Sequence, residues 1–445
     1  MTLTAIAGAT VVDGTGRPPL RDAVVLIDGE RIVSVTPARE TVVPGSATMI
    51  DATGRHVVPG LMDANAHLFS AFPDVILEHD GRYDELVLEA AQVALKAGIT
   101  TVFDTWGPLR PLTTVRDRIN RGEVVGSRMF VAGNIIGFGG PFSSDFQSPG
   151  DFLGPEIVDR VNHEWEQGVG QDLMWLTADG IRRRVREYIE RSDVDFIKYG
   201  ACGHSTPVLL FSETAQRAIV EEGHRAGITV QAHTITVESL RMEIEAGADL
   251  LQHGNITGKE PMPDDLVAAI AGRGIPVAAI VPTKRYRAWV HEHGPEWWRT
   301  VGLNPAAAEN DRRLIDAGAR LLLTVDGALM GPRLRKHPAL ARLRDVVDHS
   351  QHFGEGHFYW LEAVTELGMA PMEALLSATR YPAEAYHVAD ELGTLEPGKR
   401  ADLLILDGDP LDDVRNYRRI VDVMKDGVVV DRDALPVSPI ISAPE

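Results

Sequence analysis

Asn65 and His67 close the run "RHVVPGLMDANAH", and they are the first of six side chains of metal-binding or acid–base type that end strand-like segments. Lys198 ends "VDFIKYG", His233 ends "ITVQAH", His253 ends "DLLQHG" and Asp326 ends "RLLLTVDG". A lone histidine is more often structural than chemical. Five separate segments each ending in such a residue point instead to a shared site. Imidazoles with a carboxylate form the donor set of zinc and its neighbours. An ammonium at Lys198 would repel a cation, so this residue is either an ion-pair partner or, once its amine has taken up CO2, an anionic bridging ligand. Asn65 poses a second question, because a neutral amide oxygen is a weaker donor than an imidazole.

Those residues need a scaffold that aims them at one place. Strand-like and helix-like runs alternate through the middle of the chain. The eight strand-like runs are "HVVPGLMDA", "ITTVFDT", "RMFVAG", "VDFIKYG", "ITVQAH", "DLLQHG", "IPVAAIV" and "RLLLTVDG". Each is nearly continuous in apolar residues, the pattern of a parallel sheet buried on both faces. Intervening runs such as "SETAQRAIVEEGHRAG" and "PDDLVAAIAGRG" end in Gly, a helix stop. Eight strands close a (β/α)8 TIM-like barrel, whose chemistry collects at the C-terminal strand ends. A doubly wound open sheet would want a Gly-rich phosphate loop after its first strand, and none is present there.

The two ends of the chain have a different texture. Residues 3–50 and 391–431 read as short alternating strands broken by "DG" turns, with no room for helices. The expected organisation is a small β-sandwich built from residues 1–57 and 389–445, around a barrel of residues 58–388.

A net charge of −20 argues against a nucleic-acid partner, since no basic cluster offsets the repulsion. The N-terminus has no basic segment followed by an apolar one, and no apolar run is long enough to span a bilayer. A single cysteine, Cys202, excludes an internal disulfide and suits a reducing cytoplasm. Its type favours a buried small hydrophobe over a nucleophile.

"VVPGLMDANAH", "IKYG", "VQAH", "LLQHG", "LTVDG" and the closing "LGTLEPGKRADLLILD" occur in an order that resembles the amidohydrolase superfamily, in the branch of imidazolonepropionase-like enzymes and Xaa-Pro dipeptidases. The resemblance spans residues 3–431. It implies a divalent metal held by His67, Lys198, His233, His253 and Asp326, with Asp326 also accepting a proton from the attacking water. The family has histidine where this chain has Asn65. The Asn-x-His form is similar to that of phenylurea hydrolases and molinate hydrolase, which act on synthetic herbicides. On that resemblance Asn65 joins the ligand set and the site is altered but active. Zinc is the first choice, with cobalt, manganese or iron as alternatives. The weaker donor favours one ion over two, which would leave Lys198 an amine. His253, if released from coordination, could polarise the substrate carbonyl.

Two aromatic-rich loops bear on substrate choice. Residues 133–176 carry Phe138, Phe142, Phe146, Phe152, Trp165 and Trp175, and "PTKRYRAWVHEHGPEWW" carries Tyr286, Trp289, Trp297 and Trp298. With Trp106 and His204 after neighbouring strands, they suit a flat apolar substrate such as an N-aryl urea of the diuron or linuron kind. Substrate-binding roles are expected for Trp106, Phe138, His204, Tyr286 and Trp289. Alternatives are a thiocarbamate hydrolase, a dipeptidase using Arg285 or Arg287 for a carboxylate, and a non-enzymatic scaffold. Self-association is expected by analogy with related barrels.

Overall fold

The structure is a computed structural model that describes residues 3–146, 153–294, 296–331 and 348–443. Five strands open the chain: β1 (Leu3–Val11), β2 (Leu20–Asp28), β3 (Arg31–Pro37), β4 (Thr48–Asp51) and β5 (His56–Pro59). Nine follow in the middle: β6 (Leu61–Ala66), β7 (Ile99–Asp104), β8 (Arg128–Val131), β9 (Ile135–Ile136), β10 (Ile197–Gly200), β11 (Val230–His233), β12 (Leu250–Gln252), β13 (Val277–Ala278) and β14 (Leu321–Leu322). Three close it: β15 (Leu403–Leu406), β16 (Ile420–Lys425) and β17 (Val428–Val429).

Strands from both ends join in one sheet, ordered β17-β16-β15-β5-β1-β2-β3, with β4 beside β1. The ends meet where β5 runs antiparallel to β15, Val58 opposite Leu404. Ile6, Val25 and Val57 from one end pack with Leu403, Ile405 and Met424 from the other in a shared buried cluster. Each such side chain contributes about 1.5–3 kcal/mol on leaving water. The "DG" of the last hairpin does what its chemistry suggests. Asp426 and Gly427 both take positive φ, 49° and 73°, as a two-residue turn between twisted strands requires.

The middle of the chain is an α/β unit with parallel sheets, in the orders β6-β7-β8 and β14-β13-β12-β11-β10-β9. Every residue of β6, β7, β10 and β11 is buried, which explains why these strands lack polar alternation. Helices Glu213–Ala226, Val237–Ala246 and Asp264–Arg273 lie between these strands in the chain and end on Gly227, Gly247 and Gly274 at positive φ. Backbone bonds also run between the two sheets: Ala64 N in β6 donates to Leu323 O just past β14 at 2.9 Å, and Asp195 N just before β10 to Val131 O in β8 at 2.9 Å.

One expected strand is broken. The run "RMFVAG" is strand only over β8, which pairs with β7, and the separate short β9 that follows pairs with β10. At the break Tyr188 Oη donates to Ala132 O at 2.7 Å and accepts from Asn134 N at 3.2 Å, taking groups that a continuous strand would pair. Gly133 makes room: a Cβ there would lie 2.3 Å from that same hydroxyl.

The C-terminal tail is pinned to the α/β unit. Glu89, on helix Tyr83–Lys96, accepts from Ile441 N at 2.9 Å and Ser442 N at 2.7 Å. Among the described residues no helix is long and apolar enough to cross a membrane.

Candidate active site

Asp326 is the hub. It follows β14 by four residues, and its N–H donates to Asn65 O at 2.8 Å. Buried Asp63 reinforces that junction, since its Oδ1 accepts from both Asn65 N at 3.1 Å and Val325 N at 3.2 Å. Asn65 Nδ2 donates to Asp326 Oδ1 at 2.8 Å. His67 Nε2 lies 3.2 Å from that oxygen and His253 Nε2 3.8 Å from it. The His233 ring packs edge-on against His253, centroids 5.1 Å apart. Lys198 Nζ donates to Thr105 Oγ1 at 3.2 Å, and the Thr105 hydroxyl bonds Asn65 Oδ1. All six residues singled out at strand ends therefore belong to one contiguous group, with Asn65, Lys198, His233 and His253 buried and His67 and Asp326 partly exposed. Asp326 and His253 also sit in the left-handed region, at φ 48° and 59°. That costs each about 1–2 kcal/mol, strain of a kind that gathers at functional sites.

Burial and mutual charge set the electrostatics. Burial opposes the Asp326 charge, but His253, His67 and Lys198 outweigh it and hold the carboxyl well below the usual range. Burial drives His253 down to about 4 against the pull of Asp326, and drives His233 well below its ordinary value, aided by His253 and His204. Neutral imidazoles keep their lone pairs. Burial lowers Lys198 to about 8, opposed by Asp326 and Asp104.

The aromatic residues divide into two sets. Phe138 is fully buried, with its ring 5.5 Å from His233 and 6.3 Å from His204. Phe146 stacks on Trp106 at 4.1 Å and meets His204 at 4.6 Å, while Trp106 stands edge-on to His67 at 6.1 Å. Trp106, Phe138 and His204 thus adjoin the histidines. His204 reaches His233 at 5.8 Å, and burial holds it near 4. The loop after β13 behaves otherwise. Tyr286 packs with Cys202, Ile235 and Ile280 in a separate buried cluster, and Trp289, Trp297 and Trp298 lie against it. The ring contacts of Tyr286 run to Trp289 and His349. Trp297 Nε1 does donate to Ser205 O at 3.2 Å, bracing the loop that carries His204. Trp165 is core beside Phe69 and Tyr83, and Trp175 is 88% exposed, so neither lines the group. Phe152 lies outside the described residues. Arg287 pairs with buried Asp311, and Arg285 with Asp348 at 3.0 Å, so neither is a free loop charge. Cys202 is buried, and burial pushes its thiol up to about 11.

The model of the amidohydrolase family matches residues 56–430. This chain belongs to that family.

A solved molinate hydrolase is 35% identical, with a TM-score of 0.93 covering 100% of this chain and 98% of that one. Phenylurea hydrolase B is 36% identical, with a TM-score of 0.93 over 100% of both chains. The imidazolonepropionase of Streptomyces griseus is 26% identical over 431 residues, 89% of this chain and 88% of its own. The chain is accordingly an amidohydrolase-superfamily hydrolase, and that superfamily generally uses a divalent metal.

The residues of this amidohydrolase fit such an ion in donor chemistry. His233 Nε2 is buried with no hydrogen-bond partner, as suits a lone pair kept for a cation. Neutral imidazoles beside an ionised carboxylate supply the rest. As the side chains stand, no group of three or more His, Cys, Asp or Glu among the described residues is drawn together closely enough to hold a metal. Three neighbours escaped the sequence reading. Thr105 ends the "ITTVFDT" run and obeys the same strand-end rule, but a hydroxyl is not a typical metal-binding or acid–base group. Asp104 buttresses the site through Leu68 N at 2.7 Å and Trp106 N at 3.2 Å. Gln351 Nε2 donates to Asp326 O at 2.9 Å from a segment without strand or motif signal.

Proposed function

We propose that this amidohydrolase cleaves the carbonyl C–N bond of an N-aryl urea, with one divalent ion, zinc first, as its cofactor. The observation that carries the proposal is the convergence of Asn65, His67 and His253 on Asp326 Oδ1 beside the wall formed by Trp106, Phe138 and Phe146. Similarity to phenylurea hydrolase B over the full length of both chains supports the substrate class.

A divalent ion, when bound, lowers the pKa of water to about 7 and polarises a carbonyl. His67, His233, His253 and Asp326 are the residues that would hold it. Asp326, kept ionised, accepts the proton of the attacking water and returns it to the leaving nitrogen. Trp106, Phe138 and Phe146 pack the aryl ring and exclude water, while His204 faces the same space. Water adds its OH to the carbonyl carbon and a proton to the anilide nitrogen. The products are an aniline and a carbamic acid, which breaks down to CO2 and an amine. Lys198, bonded to Thr105, stays an amine in this scheme.

Equal likeness to molinate hydrolase favours one second reading, a thiocarbamate hydrolase. A dipeptidase has less support, because Arg285 and Arg287 are already paired with carboxylates. For the architecture, we propose that the parallel strands close into one eight-stranded barrel, on the strength of the bonds joining β6 to Leu323 and β8 to Asp195. The terminal sheet would fold over as a sandwich. The first domain boundary then falls after β5, which pairs within the terminal sheet, and the second stays at 388/389. A homo-oligomer in a reducing cytoplasm completes the proposal.

The test is elemental analysis of purified protein alongside a panel of arylureas, thiocarbamates and proline dipeptides. Stoichiometric metal with arylurea turnover is expected. A metal-free chain that hydrolyses nothing in the panel would overturn the proposal.

A further inference from the structure

Asn65 is fully buried and engaged at both ends of its amide. Its Nδ2 faces Asp326 Oδ1 at 2.8 Å, and its Oδ1 faces the Thr105 hydroxyl. Charge decides this orientation. A carboxylate accepts only, so the group facing it must be an N–H, and an amide turned over would set oxygen against oxygen. Thr105 has matching constraints. Its oxygen accepts from Lys198 Nζ at 3.2 Å, which leaves its hydrogen free for Asn65 Oδ1. The result is a directional chain of hydrogen bonds from Lys198 through Thr105 and Asn65 to Asp326. Buried chains of this kind reinforce one another because each donor is polarised by the one behind it.

We infer that Asn65 is a hydrogen-bond bridge, not a metal donor, and that Thr105 is the positioning residue that fixes it. This rests on the site being that of a metal-dependent hydrolase. With its Nδ2 given to Asp326 and its Oδ1 accepting from Thr105, the amide is held by hydrogen bonds at both ends. Its service to the site is indirect: it holds Asp326 Oδ1 in place, as Gln351 holds the same residue from the other side. Thr105 earns its position by ordering two neighbours at once, the Lys198 amine and the Asn65 amide.

The test compares Thr105→Val, Thr105→Ser, Asn65→Ala and the Val/Ala double variant in the full-length protein, with zinc retention measured by chelator competition. Both single removals are expected to weaken zinc binding alike, by about 10- to 100-fold, with one ion per chain retained and Thr105→Ser within about threefold of the parent. The double variant should be no weaker than either single one, because one bridge is broken once. Release of zinc from Asn65→Ala with full retention in Thr105→Val would overturn the inference, as would additive losses. If Asn65→Ala does not fold, the Val and Ser variants at Thr105 decide alone: equal affinities refute the bridge. Should the parent protein bind no zinc, the hydrolase proposal falls separately, and urea unfolding of the metal-free variants still reads the bridge. Non-additive destabilisation supports it and additive destabilisation overturns it.

Discussion

Replacing Gly200 by alanine should injure the site without touching any polar residue in it. Gly200 ends β10, two residues beyond Lys198, and its missing side chain makes room for Phe138. A Cβ there would lie 2.4 Å from Phe138 Cε1 and 2.9 Å from Leu210 Cδ1. Carbon atoms settle at about 3.5–4.0 Å, so the ring would have to retreat by about 1 Å. Little lies behind it to yield. The ring is fully buried and packs against Phe146 at 5.7 Å, and Asn134 Nδ2 holds the Phe138 carbonyl at 2.9 Å. Overpacking of this size costs about 1–3 kcal/mol. A displacement of about 1 Å in a substrate-facing wall can cost on the order of 100-fold in rate. Gly200→Ala should therefore lose about 1–3 kcal/mol in urea unfolding and about 10- to 100-fold in kcat/KM on an arylurea. Phe138→Leu trims the ring that is struck, so the double variant should be more stable than the sum of the single losses allows. Additive losses, or a Gly200→Ala protein that unfolds and turns over like the parent, would refute the packing argument.

Asp326→Asn should lower kcat by about 100- to 10,000-fold, as expected for loss of a proton acceptor; near-parental single-turnover rates would exclude that role. Glu243, on helix Val237–Ala246, has both carboxyl oxygens buried without a hydrogen bond, and burial lifts its pKa well above the ordinary 4.5. A raised folded-state pKa means that stability is fully present below the unfolded value and is lost as pH rises toward the folded one. Glu243→Gln should therefore be more stable than the parent at pH 7, by at least about 1 kcal/mol, with the gap shrinking as pH falls toward 4.5. A gap independent of pH would contradict this. Cys202 should resist a thiol reagent at pH 7 and react at once in denaturant, because it is buried and its thiol is pushed up to about 11; rapid labelling of the native protein would count against its placement.

The parallel strands were legible because burial on both faces leaves an unbroken apolar run, and the site residues because each follows such a run. Interruptions were not legible. Nothing in "RMFVAG" announces that a tyrosine more than fifty residues downstream will take its backbone groups, since only the packed structure brings Tyr188 to Gly133. The aromatic loops show the same limit. Sequence density pointed to Phe138 and Tyr286 alike, but not to what each would touch: Phe138 packs on His233, and Tyr286 packs with Cys202 and Ile280. Thr105 and Gln351 went unseen for different reasons. Thr105 obeyed the strand-end rule but is not a residue type that advertises chemistry. Gln351 reaches Asp326 from an irregular segment that no periodicity marks.

The most direct test is an anomalous difference map, recorded at the zinc edge, from crystals of the zinc-loaded protein. The expected result is one peak per chain within about 2.0–2.2 Å of His and Asp donors drawn from His67, His233, His253 and Asp326. A map with no peak there, or with zinc bound at a distance from Asp326, would contradict the central claim that these strand ends hold a metal between them.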